Sequence, residues 1–174
     1  MKIIRKDRLI TVFTAIAVLA FALVLVAVVP STAASVADGT HAFAKGHYRS
    51  AATLARSSAE RGNADAQALL GSMYEHGRGV PEDYVLAAHW YACAAEQGHV
   101  TAQYLLGLMY DKGHGVEQSD TLSYKWLNLA AAHAPRRARE YYLRVRNAIG
   151  EKLSAAQIAE AQWLSAHFIP KASH

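Results

Sequence analysis

The sequence holds a single cysteine, Cys93, so no disulfide within the chain can staple it. Proline is scarce at four residues, and Pro30, Pro81 and Pro135 stand where helical patterns begin or end. No GxSxG turn appears. The GRG and GHG stretches lack the lysine and serine or threonine that a phosphate-cradling loop requires, so they read as helix caps. Nine histidines are present, but none makes the short-spaced pair on one helix that zinc hydrolases use. His76, His99, His114 and His133 fall at helix ends or loops, where an imidazole is readily solvated. No metal or cofactor site and no catalytic set follows from these residues. An excess of one charge is missing too. Once residues 1–37 are set aside, with Lys2, Arg5, Lys6 and Arg8 against Asp7, 14 basic residues face 13 acidic ones. That balance argues against a nucleic-acid partner.

What the chain does contain is one message stated twice. AQALLGSMYEHGRGVPEDYVLAAHWYACAAEQG (66–98) aligns without a gap to AQYLLGLMYDKGHGVEQSDTLSYKWLNLAAAHA (102–134), at an offset of 36 residues. The shared residues include Gly71/Gly107, Tyr74/Tyr110, Gly77/Gly113, Gly79/Gly115, Val80/Val116 and Trp90/Trp126. A fixed period of this size marks a stacked array in which each unit buries its apolar face against its neighbours. Within the unit, Ala66, Leu69, Leu70, Met73 and Tyr74 recur at helical spacing. Gly77 is placed for a left-handed cap. Pro81, Glu82 and Asp83 suit the start of a second helix, whose packed side carries Leu86, Ala87, Trp90, Ala94 and Ala95. Gly71 and Gly107 lie inside their helices, where glycine costs about 1 kcal/mol relative to alanine. Their return at the same phase predicts a helix–helix approach that a side chain would block.

LGSMYEHGRGVPEDYVLAAHWYACAAEQGH and LGLMYDKGHGVEQSDTLSYKWLNLAAA resemble Sel1-like repeats, relatives of the tetratricopeptide repeats, through LG, a tyrosine, GxGV, a tryptophan and AA. The resemblance implies an all-α fold: a right-handed α-solenoid of helix hairpins, used as an interaction scaffold and often found in the bacterial envelope. Some relatives are cysteine-rich, with stapled hairpins. This chain departs from them.

The expected organisation follows the chain. Residues 1–37 hold a basic cluster and an uncharged apolar run over 9–29, then Pro30 and small residues. This reads as a signal peptide cleaved after Ala37, or as a retained anchor, since the run is long enough to span a bilayer; Pro30 and the small residues favour cleavage. Either way the repeats are exported, to the periplasm or to the periplasmic side of the inner membrane. No cysteine follows the run, so lipoprotein processing is not indicated. Residues 38–65 form a degenerate N-terminal half-repeat, because GHYRSAATLARSSAERG aligns one period before the first full unit. The repeats proper occupy 66–101 and 102–134. Residues 135–174 are C-terminal capping helices. Residues 136–149 form a basic helix with Tyr141, Tyr142, Val145 and Ile149 on its apolar side, ended by Gly150. Ser154 and Gln157 open the last helix as a capping box, with Ile158, Ala161, Trp163, Leu164 and Phe168 able to pack back. About eight helices result.

Three groups of residues are candidates for function. Cys93 and His89, four apart, could share a helix face as a thiol–imidazole pair; the alignment of Cys93 with Leu129 favours a packing residue instead. Arg136, Arg137, Arg139, Arg144 and Arg146 form a basic face, read mainly as solvated and otherwise as a dock for an acidic partner or anionic membrane. The third group lies where the repeats disagree on the first helix. Ala68 becomes Tyr104, Ser72 becomes Leu108, and His76 becomes Lys112. By the resemblance this helix lines the concave face. Ser72, His76, Tyr104, Leu108 and Lys112 are thus candidate partner-binding residues, with Tyr104 and Leu108 one turn apart as an apolar anchor, unless they pack on the next unit. The expected function is a non-enzymatic scaffold of the bacterial envelope that binds a protein or peptide. The alternatives are an envelope enzyme acting on peptidoglycan or a β-lactam, and a structural subunit of an envelope complex.

Overall fold

A computed structural model describes residues 32–172, which form eight helices and no strand. They are α1 (Thr32–Ala44), α2 (Tyr48–Glu60), α3 (Ala64–Glu75), α4 (Tyr84–Glu96), α5 (Val100–Lys112), α6 (Asp120–His133), α7 (Arg136–Gly150) and α8 (Ala155–Ala166). The apolar run at 9–29 lies outside the described residues. The small residues 32–37, read as the tail of a signal, belong to α1. No helix among the described residues is long and apolar enough to cross a membrane.

From α1 to α7 each helix packs mainly on its neighbours in sequence, but α8 folds back onto α6 and not onto α7. The reason is local. Short links close each pair, and the same capping bonds recur one period apart. Asn63 and His99 accept the N–H of Ala66 and Ala102 at 2.9 and 3.1 Å, starting α3 and α5. Asp83 and Ser119 do the same for Leu86 and Leu122, starting α4 and α6. The second helix therefore begins at Tyr84. Pro81 and Glu82 stay in the loop, since the Asp83 N–H is held by the Tyr74 carbonyl at 2.9 Å, as Ser119 is by Tyr110 at 3.0 Å.

Buried alanines and a few large side chains build the main core, from Ala51 through Leu70, Met73, Tyr91 and Leu106 to Met109. Gly71 and Gly107 permit it: a Cβ at Gly71 would stand 2.7 Å from the Tyr91 ring, and one at Gly107 would stand 2.8 Å from Leu127. The close approach expected from the sequence is present. The packed side of α4 differs from expectation, however. Tyr91 is fully buried, whereas Leu86 is exposed at the helix start. Trp90 and Trp126 both join the main core, but only Trp126 is sealed, because Phe168 lies edge-on to it at 5.6 Å.

Successive pairs are joined by a repeated polar brace. Gln67 donates to the Ala59 carbonyl at 3.1 Å, and Gln103 donates to Ala95 at 3.2 Å. One period later, Arg139 donates to the carbonyls of Ala132 and Ala134. α7 thus takes the place of a further first helix, and the brace secures carbonyls at the C-terminal end of the preceding helix, which that helix cannot pair itself.

Candidate partner-binding surface

The five residues singled out on the first helices do not share one environment. Ser72 is half-buried on α3, and its carbonyl accepts from the His76 backbone N–H at 3.2 Å and ring Nδ1 at 2.9 Å. His76 and Lys112 are exposed at the ends of α3 and α5. Tyr104 is not exposed. Its ring stacks on Tyr142 of α7 at 4.3 Å and 7° between planes, and its hydroxyl hydrogen-bonds that of Tyr141 at 3.2 Å. Leu108 is half-buried in the same cluster, with Leu127 and Ile149. The expected apolar anchor is therefore the seat of α7. A tyrosine ring offers a large apolar area, and the next helix covers it before any partner can. Burial, then the bond to Tyr141, pushes the Tyr104 hydroxyl well above its ordinary pKa.

α7 shows the reverse disagreement. Tyr142 and Val145 are half-buried and Ile149 is buried, but Tyr141, placed on the apolar side by spacing, is 50% exposed. Its arginines divide: Arg139 braces α6, Arg146 donates to Asn128 at 2.8 Å and to Asn147, and Arg144 lies over the Tyr141 ring. On α8 the capping box of Ser154 and Gln157 forms. Ala161 is buried, but Trp163 is 59% exposed and stacks on His167 at 4.4 Å.

Phe168 packs back as the sequence suggested, but sequence reasoning missed the course of the segment beyond it. Phe168 packs on Trp126, Pro170 approaches Gly98, and the Lys171 N–H donates to the Glu96 carbonyl at 2.8 Å while its ammonium meets the Glu96 carboxylate at 2.5 Å. The chain thus returns across the end of α4. A cleft of about 480 Å³ opens where the start of α5, the end of α6 and this segment meet. The available signal was FIP after a helix, too short to place.

Cys93 and His89 do share a face, with Sγ 3.8 Å from Nε2. Burial, and then the Glu96 carboxylate, raises the thiol pKa, against a smaller pull from Lys171. A raised pKa leaves less thiolate at neutral pH, the opposite of an activated nucleophile. Alkylation of Cys93 by iodoacetamide is expected to follow a pH profile displaced to higher pH than that of free cysteine. Glu96→Gln should move the profile back down. A profile at or below that of free cysteine would restore the nucleophile reading.

Residues 64–99 and 100–135 match the family model described as Sel1 repeat. Among solved structures, a protective antigen present in uropathogenic Escherichia coli strains and displaying an SLR fold is similar, with 31% identity over 83% of this chain and a TM-score of 0.74. A Sel1 repeat protein from Oxalobacter formigenes is similar at 34% identity over 60% of this chain, with a TM-score of 0.56. The chain spans 31% and 41% of the lengths of those two structures. No curated protein matches it. Sel1 repeat proteins generally mediate protein–protein interactions, and the fold is typically a non-catalytic scaffold. With its helix pairs stacked one period apart, this chain carries two Sel1 repeats in an all-helical array of the SLR type.

Proposed function

We propose that the protein is a non-enzymatic scaffold of the bacterial cell envelope that docks a partner protein or peptide on the outward side chains of its helix pairs. One observation carries this reading: the glycines and the glutamine that hold the pairs together repeat (Gly71/Gly107, Gly79/Gly115, Gln67/Gln103), while exposed positions change. Arg49 and Thr53, exposed on α2, become Val85 and His89, exposed on α4, and then Thr121 and Lys125, half-buried on α6. Val85 is 65% exposed and Leu86 follows it at 37%, an apolar pair at the start of α4. His76 and Lys112 remain open on the first helices. A fixed backbone with varied outward residues is a way to specify a partner without altering the fold. The envelope location rests on the basic cluster and apolar run of the first 37 residues.

The test is photocrosslinking in intact cells from His76, Val85 and Lys112 of the full chain. One partner recovered from these positions, and not from Trp163 on α8, is the expected result. Turnover of a cell-wall substrate by the purified chain, with no partner recovered, would replace the scaffold with an enzyme.

A further inference from the structure

The outward face of α2 carries charge that its counterpart on α4 lacks. Arg49, Thr53 and Arg56 stand at i, i+4 and i+7, so they share one face of the helix, and all three are exposed. With Glu60, and with Gly79 and Val80 from the loop between α3 and α4, they line a cleft of about 380 Å³. Arg56 is held in place there, because its Nη2 donates to the hydroxyl of the buried Tyr74 at 2.6 Å. That bond uses a single N–H of the guanidinium and leaves the others open. The Arg49 guanidinium and the Glu60 carboxylate have no hydrogen-bond or ion-pair partner among the described residues.

Stacking of the helix pairs does not account for these arginines. One period on, Val85 stands for Arg49 and Ala92 for Arg56, yet Tyr110 keeps the place of Tyr74 and the helices pack in the same order. Arg61 and Arg78, next in sequence to lining residues, are already engaged: Arg61 donates to the hydroxyls of Ser57 and Ser58, and Arg78 lies over the Phe43 and Tyr48 rings. Among the lining residues, then, two guanidinium charges face the one carboxylate of Glu60. A single ligand carboxylate balances that remainder, whereas a phosphate dianion overshoots it. A carboxylate also suits the guanidinium fork, since its two oxygens accept paired N–H bonds.

We propose that this cleft binds the side-chain carboxylate of an aspartate or glutamate on a peptide partner, held between Arg56 and Arg49. This rests on the scaffold reading and adds the charge that the first outward face selects. The probe is N-acetyl-glutamate methylamide, titrated into the full chain at fixed ionic strength while the Nε–H resonances of Arg49 and Arg56 are followed. N-acetyl-glutamine methylamide is the control, nearly the same in shape but uncharged, and N-acetyl-phosphoserine methylamide tests for a general anion site. Saturable shifts at both arginines are expected with the glutamate derivative, none with glutamine, and no tighter binding with phosphoserine. Arg49→Ala should weaken the probe about tenfold or more and melt with the native chain, because that side chain has no partner to lose. Undiminished binding by Arg49→Ala, an equal response to the glutamine derivative, or tighter binding of phosphoserine would overturn the proposal. If crosslinking captures a partner but the glutamate probe leaves both resonances unmoved, this inference falls and the scaffold reading stands.

Discussion

Gly115→Ala is expected to destabilise the protein by about 3–5 kcal/mol, a large part of the stability of a domain this size. Two effects combine. Gly115 has φ +70°, a left-handed conformation that costs a residue with a Cβ about 1–2 kcal/mol. The added Cβ would also overlap the backbone carbonyl of Tyr84, at the start of α4 in the preceding pair. Backbone cannot swing aside as a flexible side chain can, so the loop and the neighbouring helix must separate. Gly79 repeats the arrangement, with φ +79° and the Tyr48 carbonyl in the same place. Gly46 provides the control: its φ is +78°, but nothing lies within 4 Å of a Cβ built there. Gly46→Ala should therefore show only the conformational cost, about 1–2 kcal/mol. Urea unfolding of the two variants measures the difference. Equal losses would mean that the pairs are not held together at this contact.

The same contact shows what the sequence could disclose. Gly79 and Gly115 were legible as caps because their spacing placed them after a helical pattern, but their second role, meeting the previous pair, involves a carbonyl about 30 residues away and leaves no local trace. Gly71 and Gly107 were more informative. A glycine within a helix has a cost that calls for a reason, and its return one period later located that reason in the partner helix. Tyr91 escaped notice because Leu127 replaces it in the second repeat, so identity between repeats gave no weight to the position. At the candidate site the difficulty was different. Divergence between repeats indicates exposure only where both copies have the same neighbours. The second repeat is followed by α7, and a residue that differs there can be adapted to that helix. Tyr104 is such a residue. The change from Gln97 to His133 is similar: Gln67 and Gln103 are identical in sequence, yet Gln67 Oε1 accepts from Gln97 and the buried Gln103 Oε1 has no donor among the described residues.

Tyr104→Ala is the substitution that most directly separates packing from recognition. The ring is 9% exposed, lies parallel to Tyr142, and helps form the cluster that joins α5, α6 and α7. Truncating a buried aromatic to alanine costs about 3–5 kcal/mol through lost transfer energy and the cavity left behind. The loss should concentrate at the end of the array, because a stacked helix depends on its immediate neighbour. Limited proteolysis should then cut first within 136–150, ahead of α3 and α4. Tyr104→Phe should retain the stack and lose only the 3.2 Å contact with Tyr141, a change of about 0.5–1.5 kcal/mol. His76→Ala and Lys112→Ala, both at exposed positions, should stay within about 0.5 kcal/mol of the native chain. Partner capture read beside these melts gives the assignment: His76 and Lys112 variants that lose capture without losing stability mark the docking surface, and a Tyr104→Ala variant that loses both marks the foundation beneath it. Native-like melting of Tyr104→Ala would instead mean that α7 does not hold this ring and that Tyr104 is available to a partner.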